Sequence, residues 1–551
     1  MGAEGETMKR FPDKISPDWP GWLIVLFSAN LLIKTLPLFR GIMIHPDAPV
    51  YLWAAQSLEQ GNLPEAIKAY PMLFYPFLVM GVHKLGLDWL AAGRAVSVAA
   101  SLLALLPFWG LARRFVPGWP CLVICLVFIL LPEYNNIAFA AIRDPLYLCL
   151  ALFSVYAAVR FAEGRELQWL AIVLLVAASL PMLRVEGIAL SLVICAWSFV
   201  SLIRGFTVAG RLWALAAMAG VFCLLFFLVS LSSVGRDLLR IDQTLAVLRK
   251  LREMPPGVTF YLSRLDELAH SSVASGYGNN FWQVIERNWP WIYGIGMLRM
   301  FENNLSWPLL LLGLFGAKAV MRTPGGGFLL PAVFLANILV ILGKYLYSGA
   351  MEGRIMLLPA ILWLFAVGAA LPVVAGYLAE KCGAGPARIK HVVIMPLGLL
   401  LTLPFAYKTV FMDYNIHIPV LRDACLWARQ QVLHADEEWE VVVNMRTMAW
   451  YLDKREAMQL RQKNIKKITR LFSRSKKSTM MVLLLSRRNK EDMAFMESLV
   501  GLRKLPSKVF TDPEDKKNLV IAVWQNKEGK TSPSESAARL PKNNSVKDAK
   551  P

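Results

Sequence analysis

Apolar runs of about 20 residues, the length that crosses a hydrocarbon core about 30 Å thick, recur along the first three quarters of this chain and then stop. They predict membrane spans near 20–39, 95–112, 118–132, 145–159, 168–183, 186–203, 212–233, 305–321, 327–347, 355–378 and 392–412. About eleven helices then cross the bilayer. The third and fourth runs are short, so they either extend into the polar segment between them or tilt against neighbours. After residue 413 the pattern changes. Val441 to Asn444 and Met480 to Leu485 read as buried strands, and 421–434 has helical spacing. The predicted fold class is an all-α polytopic membrane body at 20–412, behind a cytoplasmic tail at 1–19 and ahead of a small α/β domain at 413–525. Lys, Ser, Pro and Asn dominate 526–551, where no apolar pattern survives and disorder is expected. Lys9, Arg10 and Lys14 precede the first run, which is longer than a signal-peptide core and has no small-residue cleavage site after it; it reads as a retained span.

The connections carry the orientation. Arg113 and Arg114, Arg160 and Arg165, Arg204 and Arg211, Lys318 and Arg322, then Lys381, Arg388 and Lys390 all fall in alternate connections. Short basic loops stay in the cytoplasm, which puts the N-terminus inside and the C-terminal domain outside. The opposite connections are very short or long, the long ones being 40–94 and 234–304. The first of these holds an amphipathic stretch from Tyr51 to Gln60, the Pro- and aromatic-rich run Tyr70 to Pro76 and an apolar segment at 77–90. Such segments lie in the interface plane, so interfacial helices are predicted on the outer side.

Composition narrows the class further. With 56% hydrophobic and 18% charged residues and a mean hydropathy of +0.46, the chain carries more apolar surface than one soluble core can bury. A net charge of +20 raises nucleic acid as a partner, but the basic residues lie between apolar runs or in the tail, and no recognition motif accompanies them. Membrane orientation accounts for them, and no nucleic-acid partner is expected. Five of the seven cysteines fall in apolar runs, and Cys382 and Cys425 stand alone, so there is neither a disulfide framework nor zinc-type spacing.

Ionisable residues beside spans are costly in lipid and mark cavities, pathways or catalytic sites. Here they gather on one side: Asp47 after the first span, Glu133, Arg143 and Asp144 between the third and fourth, Arg184 and Glu186 between the fifth and sixth, and Lys344, Glu352 and Arg354 after the ninth. All are on the predicted outer face. Displacing a phosphate from an anomeric carbon needs a carboxylate to take the acceptor's proton and cations to stabilise the leaving phosphate. Asp47 suits the first task, and Arg143, Arg184 and Arg354 the second, because a guanidinium grips two oxygens at once. Structural readings stand beside these. Asp47 and Asp144, each at a helix start, suit N-caps. Arg184 with Glu186 reads equally as a local polar turn, and Arg354 as a snorkelling helix-end anchor. His45 reads as a loop residue, and Tyr70 to Pro76 as an interfacial anchor or a wall of a lipid cavity.

An ordered set of stretches gives a resemblance. Asp47 with Tyr51 and Ala55, Tyr70 to Pro76, Gly86, Arg94, Asp144-Pro145, Arg184-Val185-Glu186-Gly187 and Gly353 to Pro359 cover most of 20–375. Together they resemble the dolichyl-phosphate-mannose protein mannosyltransferase-like glycosyltransferases of the GT-C fold, whose bacterial members include the enzyme that adds aminoarabinose to lipid A. The sequence departs from that pattern at Ala48, Met72 and Ile355. The resemblance implies an inverting transferase in the bacterial inner membrane that takes its sugar from a polyprenyl phosphate, with the acceptor a lipid, glycan or protein. It implies Asp47 as the base and Asp144 as a second active-site acid. The expected substrate-binding set is Tyr51, Tyr75, Arg143, Arg184, Glu186 and Arg354. No certain cofactor follows, and a divalent cation stays open. The rival class is a transporter or flippase of lipid-linked precursors, but that chemistry favours midplane charges and repeated halves, whereas these charges sit at one face and no internal repeat is present.

Overall fold

The computed structural model describes residues 21–35, 44–116, 118–203, 255–269, 284–323, 326–348, 352–381, 394–411, 419–433, 439–443, 446–453, 458–459, 478–486, 508–511 and 519–526. The expected span at 212–233, the N-terminal tail and residues 527–551 lie outside them. The chain divides into two compact units, one formed by 1–42 and 50–414, the other by 43–49 and 415–551.

The first unit is helical. Its first ten helices are α1 (Gly21–Thr35), α2 (Ala48–Glu59), α3 (Leu63–Ala69), α4 (Phe74–His83), α5 (Trp89–Leu103), α6 (Leu105–Phe115), α7 (Trp119–Leu130), α8 (Pro132–Ala138), α9 (Asp144–Gly164) and α10 (Leu167–Ser179). There follow α11 (Glu186–Ile203), α12 (Pro256–Ala269), α13 (Trp289–Leu305), α14 (Trp307–Met321), α15 (Leu329–Ser348), the 3-10 turn η1 (Gly353–Met356), α16 (Leu357–Lys381) and α17 (Ile394–Phe411). Among the described residues five helical stretches are long and apolar enough to cross a membrane, or seven if α7 with α8 and α13 with α14 each count as one bent span. The chain is a multi-pass membrane protein. Each expected span within the described residues coincides with a helix, or with α5 and α6 together at 95–112; α1 and α10 are shorter apolar helices, as is α4, which lies in the connection 40–94.

Helix α9 is central to this unit: it packs against α5, α6, α10 and α11, and α11 in turn packs on α15. The most extensive pairing joins α14 to α16. Glycine permits it, because a Cβ on Gly316 would fall on the Ala366 carbonyl and within 2.7 Å of the Ala370 nitrogen. Without a hydrophobic drive between helices in lipid, close backbone approach of this kind is a main source of association.

The third expected span is broken rather than short. Helix α7 stops at Leu130, Leu131 is extended, and Pro132 opens α8 after a 51° bend. A proline cannot donate to the preceding turn, so carbonyls at the break need other partners. Side chains supply them: Asn135 Nδ2 donates to the Ile129 carbonyl (3.1 Å) and the Thr409 hydroxyl to the Leu130 carbonyl (2.7 Å). Buried Lys34 donates to Asn135 Oδ1 and lies 3.9 Å from the centre of the Tyr134 ring. Thus α1 and α17 latch the break.

Among its described residues the second unit holds a mixed five-stranded sheet in the order β2-β1-β3-β5-β4, with β1 Trp439–Val443, β2 Met458–Gln459, β3 Ser478–Ser486, β4 Lys508–Thr511 and β5 Leu519–Asn526. β1 runs parallel to β2 and β3, whereas β5 runs antiparallel to β3 and β4. Val441, Val442 and Val443 are all buried, so both faces of β1 are covered. Helix α18 (Pro419–Leu433) buries Leu421, Ala424, Cys425 and Ala428, one stripe at helical spacing, and packs on β3, β4 and β5. Burial pushes the Cys425 thiol up to about 12, which leaves it a small hydrophobe rather than a nucleophile. Helix α19 (Arg446–Tyr451) lies against α18.

Close packing of α14 on α16 generates a direct test. Gly316→Leu is expected to cost at least about 1–3 kcal/mol through overpacking, seen as a lower thermal unfolding midpoint in detergent. Gly294→Leu on α13, where a Cβ meets nothing within 4 Å, is expected to leave the midpoint near wild type.

Candidate functional site

Four helix ends meet at one end of the first unit. Asp144 is the first residue of α9, Glu186 the first of α11, Arg354 lies in η1 directly before α16, and Lys344 is in the last turns of α15. The acids at the two helix N-termini complement the helix dipole. The turn before α11 is tight: the Arg184 amide donates to the Leu180 carbonyl (3.0 Å) and the Gly187 amide to the Arg184 carbonyl (2.9 Å). A Cβ on Gly187 would collide with the Leu180 carbonyl, so the Arg-Val-Glu-Gly sequence requires its glycine.

The side chains form one network. Arg184 donates through Nη1 to Asp144 Oδ1, and through Nη2 (3.1 Å) and Nε (3.4 Å) to the two oxygens of Glu186. Lys344 donates to Glu186 Oε1 at 3.1 Å. Arg354 pairs with Asp144 Oδ2 at 3.7 Å and with Glu352 through Nε. Asp144 is 3% exposed, Arg184 6% and Glu186 8%, so the centre of the network is out of water. Three cations, Arg184, Lys344 and Arg354, face three carboxylates, Asp144, Glu186 and Glu352. Pairing of opposite charges is the condition for keeping such groups in an apolar bundle. Asp144, Arg184, Glu186 and Arg354 line a pocket together with Tyr147 and Asn337, and Leu148, Ile341, Ile355 and Leu358 supply its apolar wall.

Two structural readings from the sequence give way here. Asp144 does not cap α9: it is the first helical residue, Arg143 stands at the cap position, and no side-chain cap bond is made there. Its carboxylate is engaged by arginines. Arg354 does not snorkel, since its side chain is only 15% exposed and turns to Asp144.

Arg143 belongs to a second cluster. Its Nη1 donates to the Met72 sulfur at 3.0 Å, and its guanidinium lies 5.0 Å from the centre of the Tyr70 ring and 5.9 Å from that of Tyr51. Tyr51 meets Tyr70 edge-on at 4.7 Å and Tyr75 at 5.5 Å. A guanidinium on aromatic faces keeps its charge while shedding water. Tyr75 is fully buried; its hydroxyl donates to the Gly93 carbonyl (2.9 Å) and lies 3.0 Å from the Ser97 hydroxyl, which donates to the Ile142 carbonyl (2.8 Å). Tyr75 therefore braces the turn that delivers Arg143 and Asp144, a turn in which Ala141 takes a left-handed φ of 52°. Its expected place against substrate does not match this burial.

Sequence reasoning left out Tyr147 and Asn337. Tyr147 is one turn after Asp144 on the same face of α9, and Asn337 is two turns before Lys344 on α15; that spacing was the available signal. The Tyr147 hydroxyl is buried without a hydrogen-bond partner among the described residues. Among the described residues no group of three or more His, Cys, Asp or Glu side chains is placed to hold a metal ion.

Asp47 lies in the second unit. Residues His45 to Ala48 form a turn closed by the Ala48 amide donating to the His45 carbonyl (2.9 Å), with Pro46 at the position where its fixed φ suits a turn. The Asp47 amide donates to His45 Nδ1 (3.1 Å), so the imidazole accepts there. The Asp47 side chain is 35% exposed, with Oδ2 3.9 Å from the same nitrogen. One residue upstream of the turn, the Ile44 amide donates to the Tyr451 hydroxyl of α19 at 3.3 Å.

No family model matches the sequence, and no curated protein matches it. Solved structures do match its fold. ArnT from Cupriavidus metallidurans bound to undecaprenyl phosphate superposes with a TM-score of 0.50 at 13% identity, over 91% of this chain and 98% of that one. An oligosaccharyltransferase from Archaeoglobus fulgidus in complex with zinc and sulfate gives 0.51 at 10% identity, over 86% of this chain and 69% of that one. Both are GT-C fold glycosyltransferases, and this chain has that fold.

The network supplies a test of its own coupling. Asp144→Asn and Arg184→Leu are each expected to lower stability by about 3–5 kcal/mol, because each strands a buried charge. The double variant is expected to lose less than the sum by about 0.5–3 kcal/mol. Thermal unfolding of all four proteins in one detergent measures the cycle.

Proposed function

We propose that this chain is a membrane glycosyltransferase that moves a sugar from a polyprenyl-phosphate carrier to an acceptor hydroxyl, with inversion, at the extracytoplasmic face of a bacterial inner membrane. The N-terminus is then cytoplasmic and the C-terminal domain outside. The carrying observation is the buried acid–guanidinium pocket at the helix ends of a GT-C fold. Buried ion pairs of this kind add little to stability compared with apolar residues of the same volume. A purely structural bundle gains nothing from them, whereas a phosphate site gains two guanidiniums set at a fixed spacing by one carboxylate. The structural likeness to a transferase bound to undecaprenyl phosphate supports the same class of carrier.

In the proposed step an acceptor oxygen attacks the anomeric carbon, the bond from that carbon to the phosphate oxygen breaks, and the phosphate leaves with the electron pair. Arg184 and Arg354 stabilise the charge that develops on it. Asp144 holds those two arginines rather than taking a proton, since both its oxygens are engaged. Glu186, gripped by Arg184 and Lys344, fixes the outer side of the same fork. The Tyr147 hydroxyl is available to a donor or acceptor oxygen. Asp47, on a turn with a partly exposed carboxylate, takes the acceptor proton. Tyr51 and Arg143 serve as the aromatic and cationic wall for the carrier.

Reconstitution with a labelled polyprenyl-phosphate sugar tests the reading. Transfer gives a new glycosylated product, and Asp47→Asn is expected to slow it about 10²–10⁴-fold with little change in donor affinity. Movement of the label between leaflets without a new product would instead identify a flippase. Transfer by Asp47→Asn at the wild-type rate would remove Asp47 from the mechanism.

A further inference from the structure

The turn that carries Asp47 is tied to the C-terminal α/β domain by a specific hydrogen bond, and the geometry points to Tyr451 as a positioning residue for Asp47. This inference rests on the reading of Asp47 as the base. Residues 43–49 cluster with 415–551 rather than with the helical residues that precede and follow them in sequence. Ile44 is buried, and its amide donates to the Tyr451 hydroxyl at 3.3 Å, a contact between residues 407 apart in the chain. Three residues further on, Asp47 is fixed to His45 by its own amide. The link from Ile44 to Asp47 is a closed turn, with the Ala48 amide donating to the His45 carbonyl (2.9 Å) and the Asp47 amide to His45 Nδ1, and these two bonds couple its ends.

Tyr451 is itself held in place. It ends α19, whose Thr447, Met448 and Ala449 are fully buried. The helix is closed by the Leu452 amide donating to the Met448 carbonyl (2.9 Å) and by Asp453 in a left-handed conformation at φ 55°. Asp453 in turn accepts from Arg429 Nη2 of α18 at 3.0 Å. α18 is seated on the sheet by its buried stripe. A continuous path therefore runs from the sheet through α18, Arg429, Asp453 and Tyr451 to Ile44 and the Asp47 turn. The C-terminal domain thereby acts as the mount for the base, and Tyr451 acts on the reaction only through that carboxylate.

Tyr451→Phe removes the accepting oxygen and keeps the ring. In the full-length protein, hydrogen exchange at the Ile44 amide is expected to speed up about tenfold, the effect of losing one such bond. The turnover number for sugar transfer is expected to fall by a similar factor, with KM for the donor within about twofold, because no donor contact is lost. Arg429→Gln, which loosens the end of α19 without touching the turn, should shift both readouts in the same direction, and it serves if Tyr451→Phe folds poorly. Unchanged exchange at Ile44, or faster exchange with an unchanged turnover number, would overturn the inference. Wild-type transfer by Asp47→Asn would instead overturn the base assignment, leaving exchange at Ile44 to decide the anchoring alone.

Discussion

The carboxylate of Asp144, shared between the guanidiniums of Arg184 and Arg354, is the interaction on which the first unit's functional end depends. Each of these charges alone would be prohibitive in an apolar bundle, because desolvation of a lone ion costs several kcal/mol even after relaxation. Glu186, buried beside Arg184, extends this pairing, and the partly exposed Lys344 and Glu352 continue it outward. Such a set is stable only as a whole. That makes it a sensitive place for a ligand phosphate, whose anionic oxygens accept from guanidiniums as the carboxylates already present do.

Much of the surrounding structure sets the position of that carboxylate. Tyr75 and Ser97 brace the Ile142 carbonyl, which holds the turn leading into α9. Gly187 allows the close turn that brings Arg184 and Glu186 to the start of α11. The break between α7 and α8 is latched by Lys34, Asn135 and Thr409, and α8 packs against η1, the turn that carries Arg354. The Asp47 turn has separate support, within the second unit, through Ile44 and Tyr451.

The spans were legible because lipid leaves no alternative to apolar helical runs, and the described helices follow those runs closely. The third run looked short because Pro132 breaks it, and its continuation into the polar segment is α8. Strands β1 and β3 were visible as continuous apolar runs, the pattern of a sheet buried on both faces. Partnership was not legible. Asp144 before a proline has the composition of a cap, and only the distant Arg184 and Arg354 turn it into the hub of a network. Tyr75 lies in a run whose composition suits a cavity wall, yet its hydroxyl is spent on a neighbouring helix. No local pattern encodes Tyr451, because its partner is 407 residues away.

Native mass spectrometry of the purified protein titrated with a polyprenyl phosphate lacking any sugar tests the phosphate site most directly, because it needs neither donor nor acceptor to be identified. The wild-type chain is expected to hold one carrier, and Arg354→Gln to bind it at least about tenfold more weakly, the loss of a charge-assisted contact. Equal affinity in the two proteins would contradict the assignment of the Asp144–Arg184–Arg354 pocket to the carrier phosphate.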